Sequence, residues 1–192
     1  MHDRIFIGIL ALLLLGYGLL ASPSLAAENR QASYFSLKNL DGGEVSLDQL
    51  RGKYLLINFW ATWCGPCKVE MPSLQALYTR FKSEKFEVLA ISNDMFGEKV
   101  VRPYVEANRL DFTVLLDQNL KVSHKYGVVT LPTSFLVDPE GKIIGVLNGA
   151  VDWTDPETML YFESLLKNMP KLAPDQAVTK TSVLLPTPVG GK

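Results

Sequence analysis

The chain has 192 residues, enough for one well-buried domain with appendages. Hydrophobic residues at 47% and charged residues at 20% describe a globular chain, and a net charge of −1 argues against nucleic acid as a partner, which needs a basic face. Two cysteines are too few for a disulfide scaffold or an all-cysteine zinc site.

The first segment is a targeting signal. After Arg4, Ile5–Ala21 is apolar almost throughout and runs into Ser22-Pro23-Ser24-Leu25-Ala26-Ala27. A basic start, an apolar stretch, a helix-breaking proline and small residues at Ser24 and Ala26 fit an export signal cleaved after Ala26. The stretch is also close to the shortest that spans a bilayer, so residues 1–26 are expected to be a signal peptide or an uncleaved membrane anchor. No polar face interrupts the run, which argues against a core helix. In either case the rest of the chain lies across a membrane. No cysteine follows to carry a lipid.

From Ala32 the pattern alternates between strands and helices. Tyr34–Leu37 and Glu44–Leu47 read as short strands around the Asp41-Gly42-Gly43 turn. Tyr54–Trp60 (YLLINFW) is a continuous apolar run, as in a central strand covered on both faces. A helix is expected from about Cys64 to Lys82, with Leu74, Leu77, Tyr78 and Phe81 at one-face spacing and Pro72 kinking it without ending it. Phe86–Ser92 is the next strand and Glu98–Asn108 the next helix, its first turn weakened by Pro103. Phe112–Leu116 reads as a strand and Asn119–Tyr126 as a short helix stopped by Gly127. Thr133–Asp138 and Ile143–Leu147 form a hairpin around Pro139-Glu140-Gly141-Lys142. A last helix starts at Thr154-Asp155-Pro156-Glu157 and ends before Pro170. Residues 169–192, with three prolines and two adjacent glycines after Lys171, are expected to form a flexible tail. There are no internal repeats.

Both cysteines fall in Trp63-Cys64-Gly65-Pro66-Cys67, where a strand gives way to a helix. A pair at this spacing can open and close reversibly. Cys64 sits at the helix start, where free N–H groups and the helix dipole favour an anion, so its thiol ionises readily. Cys67 is seven residues before Leu74 and falls on the buried stripe, which makes Cys64 the attacking sulfur at an exposed position and Cys67 the resolving one. Gly65-Pro66 fits between them because proline suits a first helical turn. Glu70, three residues beyond Cys67 and on nearly the same face, is placed to exchange protons with either thiol. Its alternative role is a first-turn glutamate favoured by the helix dipole.

The segment Asn58-Phe59-Trp60-Ala61-Thr62-Trp63-Cys64-Gly65-Pro66-Cys67-Lys68-Val69-Glu70-Met71-Pro72 resembles the active-site stretch of thioredoxin-fold proteins. It is most similar to the exported TlpA/ResA-like branch, related to AhpC/TSA and redoxin domains, whose motif continues with a glutamate and a proline. Tyr126-Gly127-Val128-Val129-Thr130-Leu131-Pro132-Thr133-Ser134-Phe135-Leu136-Val137-Asp138 resembles the second signature, in which a cis-proline faces the disulfide. The resemblance covers about residues 32–168, and two ordered signatures this far apart are specific. It implies a thioredoxin-like α/β fold: three layers, α/β/α, with a central mixed sheet and an N-terminal β-hairpin extension. It also implies that Cys64 is the nucleophile, Cys67 the resolving thiol and Pro132 the cis-proline. Leu131 would offer backbone hydrogen bonds to a bound substrate chain, with Trp63, Gly65 and Pro66 completing the contact surface. Ser92–Asn108 resembles the extra βα element of this branch. One position departs from cytoplasmic thioredoxins: their buried aspartate six residues before the first cysteine is Asn58 here, which cannot accept a proton. The branch's glutamate, Glu70, is the substitute that the resemblance implies.

The resemblance implies an exported, periplasmic thiol–disulfide oxidoreductase that reduces protein disulfides and needs no metal or other cofactor. Apocytochrome c cysteines are candidate substrates, with electrons supplied by a membrane thiol transporter. An alternative on the same fold is a Cu(I)-binding maturation protein, since soft thiolates suit that ion. Its third ligand would have to be His124, eight residues before Pro132 on an expected helix, where a solvated histidine is the simpler assignment. A peroxidase is a further alternative because Leu37–Leu50 resembles the opening of peroxiredoxin-like domains. Those enzymes place a threonine three residues before the reactive cysteine, whereas Thr62 is two before Cys64.

Overall fold

The computed structural model describes residues 30–167 apart from residue 84; the expected signal or anchor at 1–26 and the tail at 169–192 lie outside the described residues. The chain builds strands β1 (Ser36–Asn39) and β2 (Glu44–Ser46), a 3-10 turn at Leu47–Leu50, then β3 (Tyr54–Trp60) and helix α1 (Gly65–Phe81). It continues with β4 (Phe86–Ser92), α2 (Glu98–Ala107), β5 (Thr113–Leu116), α3 (Lys121–Tyr126), β6 (Thr133–Val137), β7 (Ile143–Asn148) and α4 (Pro156–Lys167). The seven strands form one sheet in the order β2-β1-β5-β4-β3-β6-β7. It is mixed: β3–β4 and β4–β5 are parallel, and the remaining pairs are antiparallel.

The continuous apolar run at 54–60 has the expected consequence. Six of its seven residues are buried, and the strand lies inside the sheet between β4 and β6. Its side chains alternate between two cores. Leu56 and Trp60 face α1, α2 and α4, packing with Met71, Leu74, Leu77, Val101 and Phe162. Leu55, Ile57 and Phe59 face α3 and the 3-10 turn, packing with Val122, Tyr126 and Leu47. Helices on both faces of a mixed sheet are the three-layer thioredoxin-like arrangement, and the β1–β2 hairpin extends it through β1–β5 pairing. Along α1 the buried residues Cys67, Glu70, Met71, Leu74 and Leu77 recur at three- and four-residue spacing. Each fully buried leucine there contributes about 1.5–3 kcal/mol. Pro72 and Pro103 both lie inside helices that run past them.

Several boundaries differ from the sequence pattern. β1 is displaced to Ser36–Asn39 because its register against β2, Ser36 opposite Ser46, carries it up to the turn where Asn39 N–H donates to Gly43 O. Leu47 opens a 3-10 turn instead of ending β2, with Gln49 Oε1 accepting from Ser46 N–H at 2.9 Å. α3 starts at Lys121, not Asn119, because the Asp117 carboxylate accepts from Val122 and Ser123 N–H and Leu120 turns into the left-handed region at φ 56°.

Candidate active site

The strand-to-helix junction after β3 places the cysteines. Cys64 is the residue capping α1, with Pro66 in the first turn. The Cys64–Cys67 disulfide is formed, with Cα atoms 5.3 Å apart, and Cys67 N–H donates to Cys64 Sγ at 3.2 Å. That N–H is one of the helix's free donors and is aimed at the sulfur where negative charge would develop. Cys67 has no exposed surface and Cys64 keeps only 6%. Cys64 is therefore not the exposed residue that the helix pattern suggested, although it is the only one of the pair with an opening. Val128–Leu131, distant in sequence, lines the same cleft.

This cleft, of about 500 Å³, brings together Trp63, Cys64, Gly65, Pro66 and Leu131, all predicted, along with Asn93 and Leu120, which were not. Trp63 is 68% exposed and forms an outer wall, whereas Trp60 is fully buried against Tyr104. The Leu131–Pro132 peptide bond is cis. Among the described residues, neither the N–H nor the C=O of Leu131 has a backbone partner.

Glu70, one helical turn after Cys67 on the buried stripe of α1, is 1% exposed. Its Oε1 accepts from Asn58 Nδ2 at 2.7 Å and its Oε2 from Val151 N–H at 3.1 Å. Burial raises its pKa above the usual carboxylate range, while the Asn58 and Val151 donors oppose that shift. Trp153 also favours the ionised form, although its Nε1–H meets no hydrogen-bond geometry. Glu70 lines a second depression of about 530 Å³, together with Val69, Ser73 and Ala150–Asp152, distinct from the Cys64 cleft. Asn58, fully buried, also donates Nδ2 to Ser134 Oγ at 2.9 Å.

The loop before Cys64 is held by a residue that sequence reasoning missed. Asp94, 3% exposed, accepts from Thr62 N–H at 2.9 Å, Thr62 Oγ1 at 2.6 Å and Ser92 Oγ at 2.9 Å. Thr62 thus donates its hydroxyl to Asp94, not to a thiol as a peroxidase threonine would. The available signal was a polar Ser92-Asn93-Asp94 run ending a buried strand; the partner, 32 residues upstream, has no local signature. Gly97 follows at φ 53°, a conformation that strains any L side chain, with the end of the Gln118 side chain standing where a Cβ would be. His124 is exposed on α3, and among the described residues no three His, Cys, Asp or Glu side chains converge as a metal centre requires.

Comparison with known proteins agrees with this geometry. A family model described as the AhpC/TSA family matches residues 29–146. The thiol-disulfide oxidoreductase ResA of Bacillus subtilis (strain 168) is 36% identical over 175 residues, covering 85% of this chain and 94% of that protein. ResA of Halalkalibacterium halodurans is 37% identical over 131 residues, 68% of this chain and 74% of the relative. Among solved structures, the thioredoxin domain of a thiol-disulfide oxidoreductase from Bacteroides vulgatus superposes with a TM-score of 0.63 at 30% identity, covering 74% of this chain and 99% of that one.

Proposed function

Because the chain belongs to the AhpC/TSA family and is a ResA/TlpA-like protein-disulfide oxidoreductase, we propose that it is exported and acts as a reductant of protein disulfides through a Cys64/Cys67 cycle. The Cys64 thiolate attacks a substrate disulfide, forming a mixed disulfide and releasing one substrate sulfur as a thiolate. Cys67 then gives its proton to the Glu70 carboxylate and attacks Cys64 Sγ. The second substrate sulfur leaves, takes up a proton, and two electrons have passed to the substrate. The enzyme is left as the 64–67 disulfide, and an incoming dithiol restores it.

The observation that carries this reading is the access pattern: a cleft reaching Cys64 alone, with Cys67 sealed behind it and a buried carboxyl beyond. An extended substrate chain fits the free backbone groups of Leu131, which precede Pro132 and suit strand addition. Trp63, Gly65 and Pro66 supply the surrounding contact surface. Residues 1–26 serve as the export signal or anchor, residues 32–168 as the redox domain in the periplasm, and residues 169–192 as a tail. Its substrates on this reading are apocytochrome c cysteines and its electron donor a membrane thiol transporter, as the resemblance of its motifs to the TlpA/ResA-like branch implies. In a compartment that glutathione does not buffer, a reductant needs such a donor.

Two measurements test this. Cys67→Ser should accumulate mixed disulfides with protein substrates, because the resolving thiolate is gone; failure to trap any partner argues against protein substrates. The reduction potential of the Cys64–Cys67 couple should fall near or below about −250 mV, whereas a value near about −120 mV would make the protein an oxidant and remove the cytochrome-maturation role.

A further inference from the structure

Asn58 sits on β3 with both amide hydrogens used and its oxygen idle. Nδ2 donates to Glu70 Oε1 at 2.7 Å and to Ser134 Oγ at 2.9 Å, while the equally buried Oδ1 has no hydrogen-bond partner. A buried amide carbonyl without a donor is unfavourable and uncommon. Glu70 shows the complementary imbalance. Both of its oxygens accept N–H bonds, from Asn58 and Val151, and neither faces an acceptor. This arrangement serves the ionised carboxylate only, since a protonated carboxyl must donate. The idle acceptor beside it is the other end of the same Asn58 amide.

We propose that the Asn58 carboxamide turns over with the proton on Glu70, so that Asn58 is a positioning residue for the proton relay. The proposal rests on Glu70 carrying the Cys67 proton. When Glu70 is ionised, Asn58 donates to it as observed. When Glu70 takes the proton, a half-turn about Cβ–Cγ brings Oδ1 round to accept from the new Glu70 O–H. Ser134, whose hydroxyl can accept or donate, switches from accepting from Nδ2 to donating to Oδ1. Each orientation leaves one end of the amide unpaired, so neither is strongly preferred and the proton decides between them. No other charge competes. The strand neighbours of Asn58 are Ala90 on β4 and Ser134 on β6. α1 offers Cys67 and Glu70 on its buried stripe, and Asp152 from the β7–α4 loop is exposed outside Glu70.

The test follows the side-chain amide of Asn58 by NMR in the full chain, oxidised, across pH, together with the Glu70 carboxyl carbon. The two should titrate with one midpoint. In Glu70→Gln, whose Nε2–H₂ replaces the carboxyl O–H as donor, the Asn58 signals should stay at the parent's low-pH positions at every pH. Asn58 signals that hold still while Glu70 titrates, or that take the high-pH positions in Glu70→Gln, overturn the amide turnover and leave the relay intact. Conversely, an unchanged rate of disulfide closure in Glu70→Gln across pH 5–9 removes the relay, whatever the amide does. Asn58→Leu, which deletes the donor to the ionised form, should move the midpoint of the rate profile up by about one pH unit. A purely structural Asn58 would lower stability without moving that midpoint.

Discussion

Truncating Asp94 to alanine should cost about 3–5 kcal/mol of stability, and the origin can be worked bond by bond. The carboxylate accepts three hydrogen bonds, from Thr62 N–H, Thr62 Oγ1 and Ser92 Oγ. Bonds to a charged acceptor are worth about 1.5–3 kcal/mol each when the partner stays buried. The Thr62 N–H is fixed in direction and loses its full value. The two hydroxyls can rotate toward other acceptors and lose part of theirs. Asp94→Asn keeps the shape but sets an amide N–H₂ against one donor, and should cost about 1–2 kcal/mol. The assay is guanidinium unfolding of the oxidised protein, comparing midpoints at constant slope, since a changed slope would signal an altered unfolded state. A loss below about 1 kcal/mol in Asp94→Ala would refute the clamp, because a single unsatisfied buried N–H already accounts for that much. Thr62 is two residues from Cys64, so a real clamp should also weaken substrate binding when broken.

Three further outcomes follow from burial and charge. Burial holds the Glu70 carboxyl above its ordinary value of 4.5 in the folded state, so the fold binds that proton more tightly than the unfolded chain does. The stability that Glu70 contributes is complete below pH 4.5 and is lost as pH rises through the folded-state value. Glu70→Gln should therefore gain on the parent across that window, by up to about 1.4 kcal/mol per pH unit, and the gain should be flat on either side; a gain that shrinks with rising pH contradicts the assigned direction. Leu74→Ala, at a fully buried position, should cost about 3 kcal/mol by chemical unfolding, whereas Val69→Ala on the exposed face of the same helix should stay within about 0.5 kcal/mol. Trp63→Ala should raise KM for a disulfide-bonded protein substrate several-fold and leave the reduction potential where it was, because the ring is 68% exposed and lies in the cleft wall; a shifted potential would place the ring in the redox centre itself.

What was legible in the sequence was what depends on near neighbours. β3 and β4 are found where the apolar runs lie, and α1 occupies the helical pattern to within one residue at each end. The errors fall where strand register, a side-chain cap or a tertiary contact, and not the hydrophobic period, sets the boundary or the environment. β1 is placed by its register with β2, and α3 starts where the Asp117 side chain captures its first N–H groups. Cys64 is 6% exposed in a cleft that Val128–Leu131, more than 60 residues away, also lines.

The sequence alone determined the redox pair and the helix start that favours an anion there, because both follow from spacing along one strand–helix junction. It also marked Glu70 and Pro132 through motif resemblance. Only the tertiary structure decided that Asn58, Glu70, Ser134 and Val151 form one hydrogen-bonded group and that Asp94 holds Thr62. Those contacts join residues 12 to 81 positions apart. A side chain's donors and acceptors carry no record of which distant strand or loop the sheet order will bring beside them.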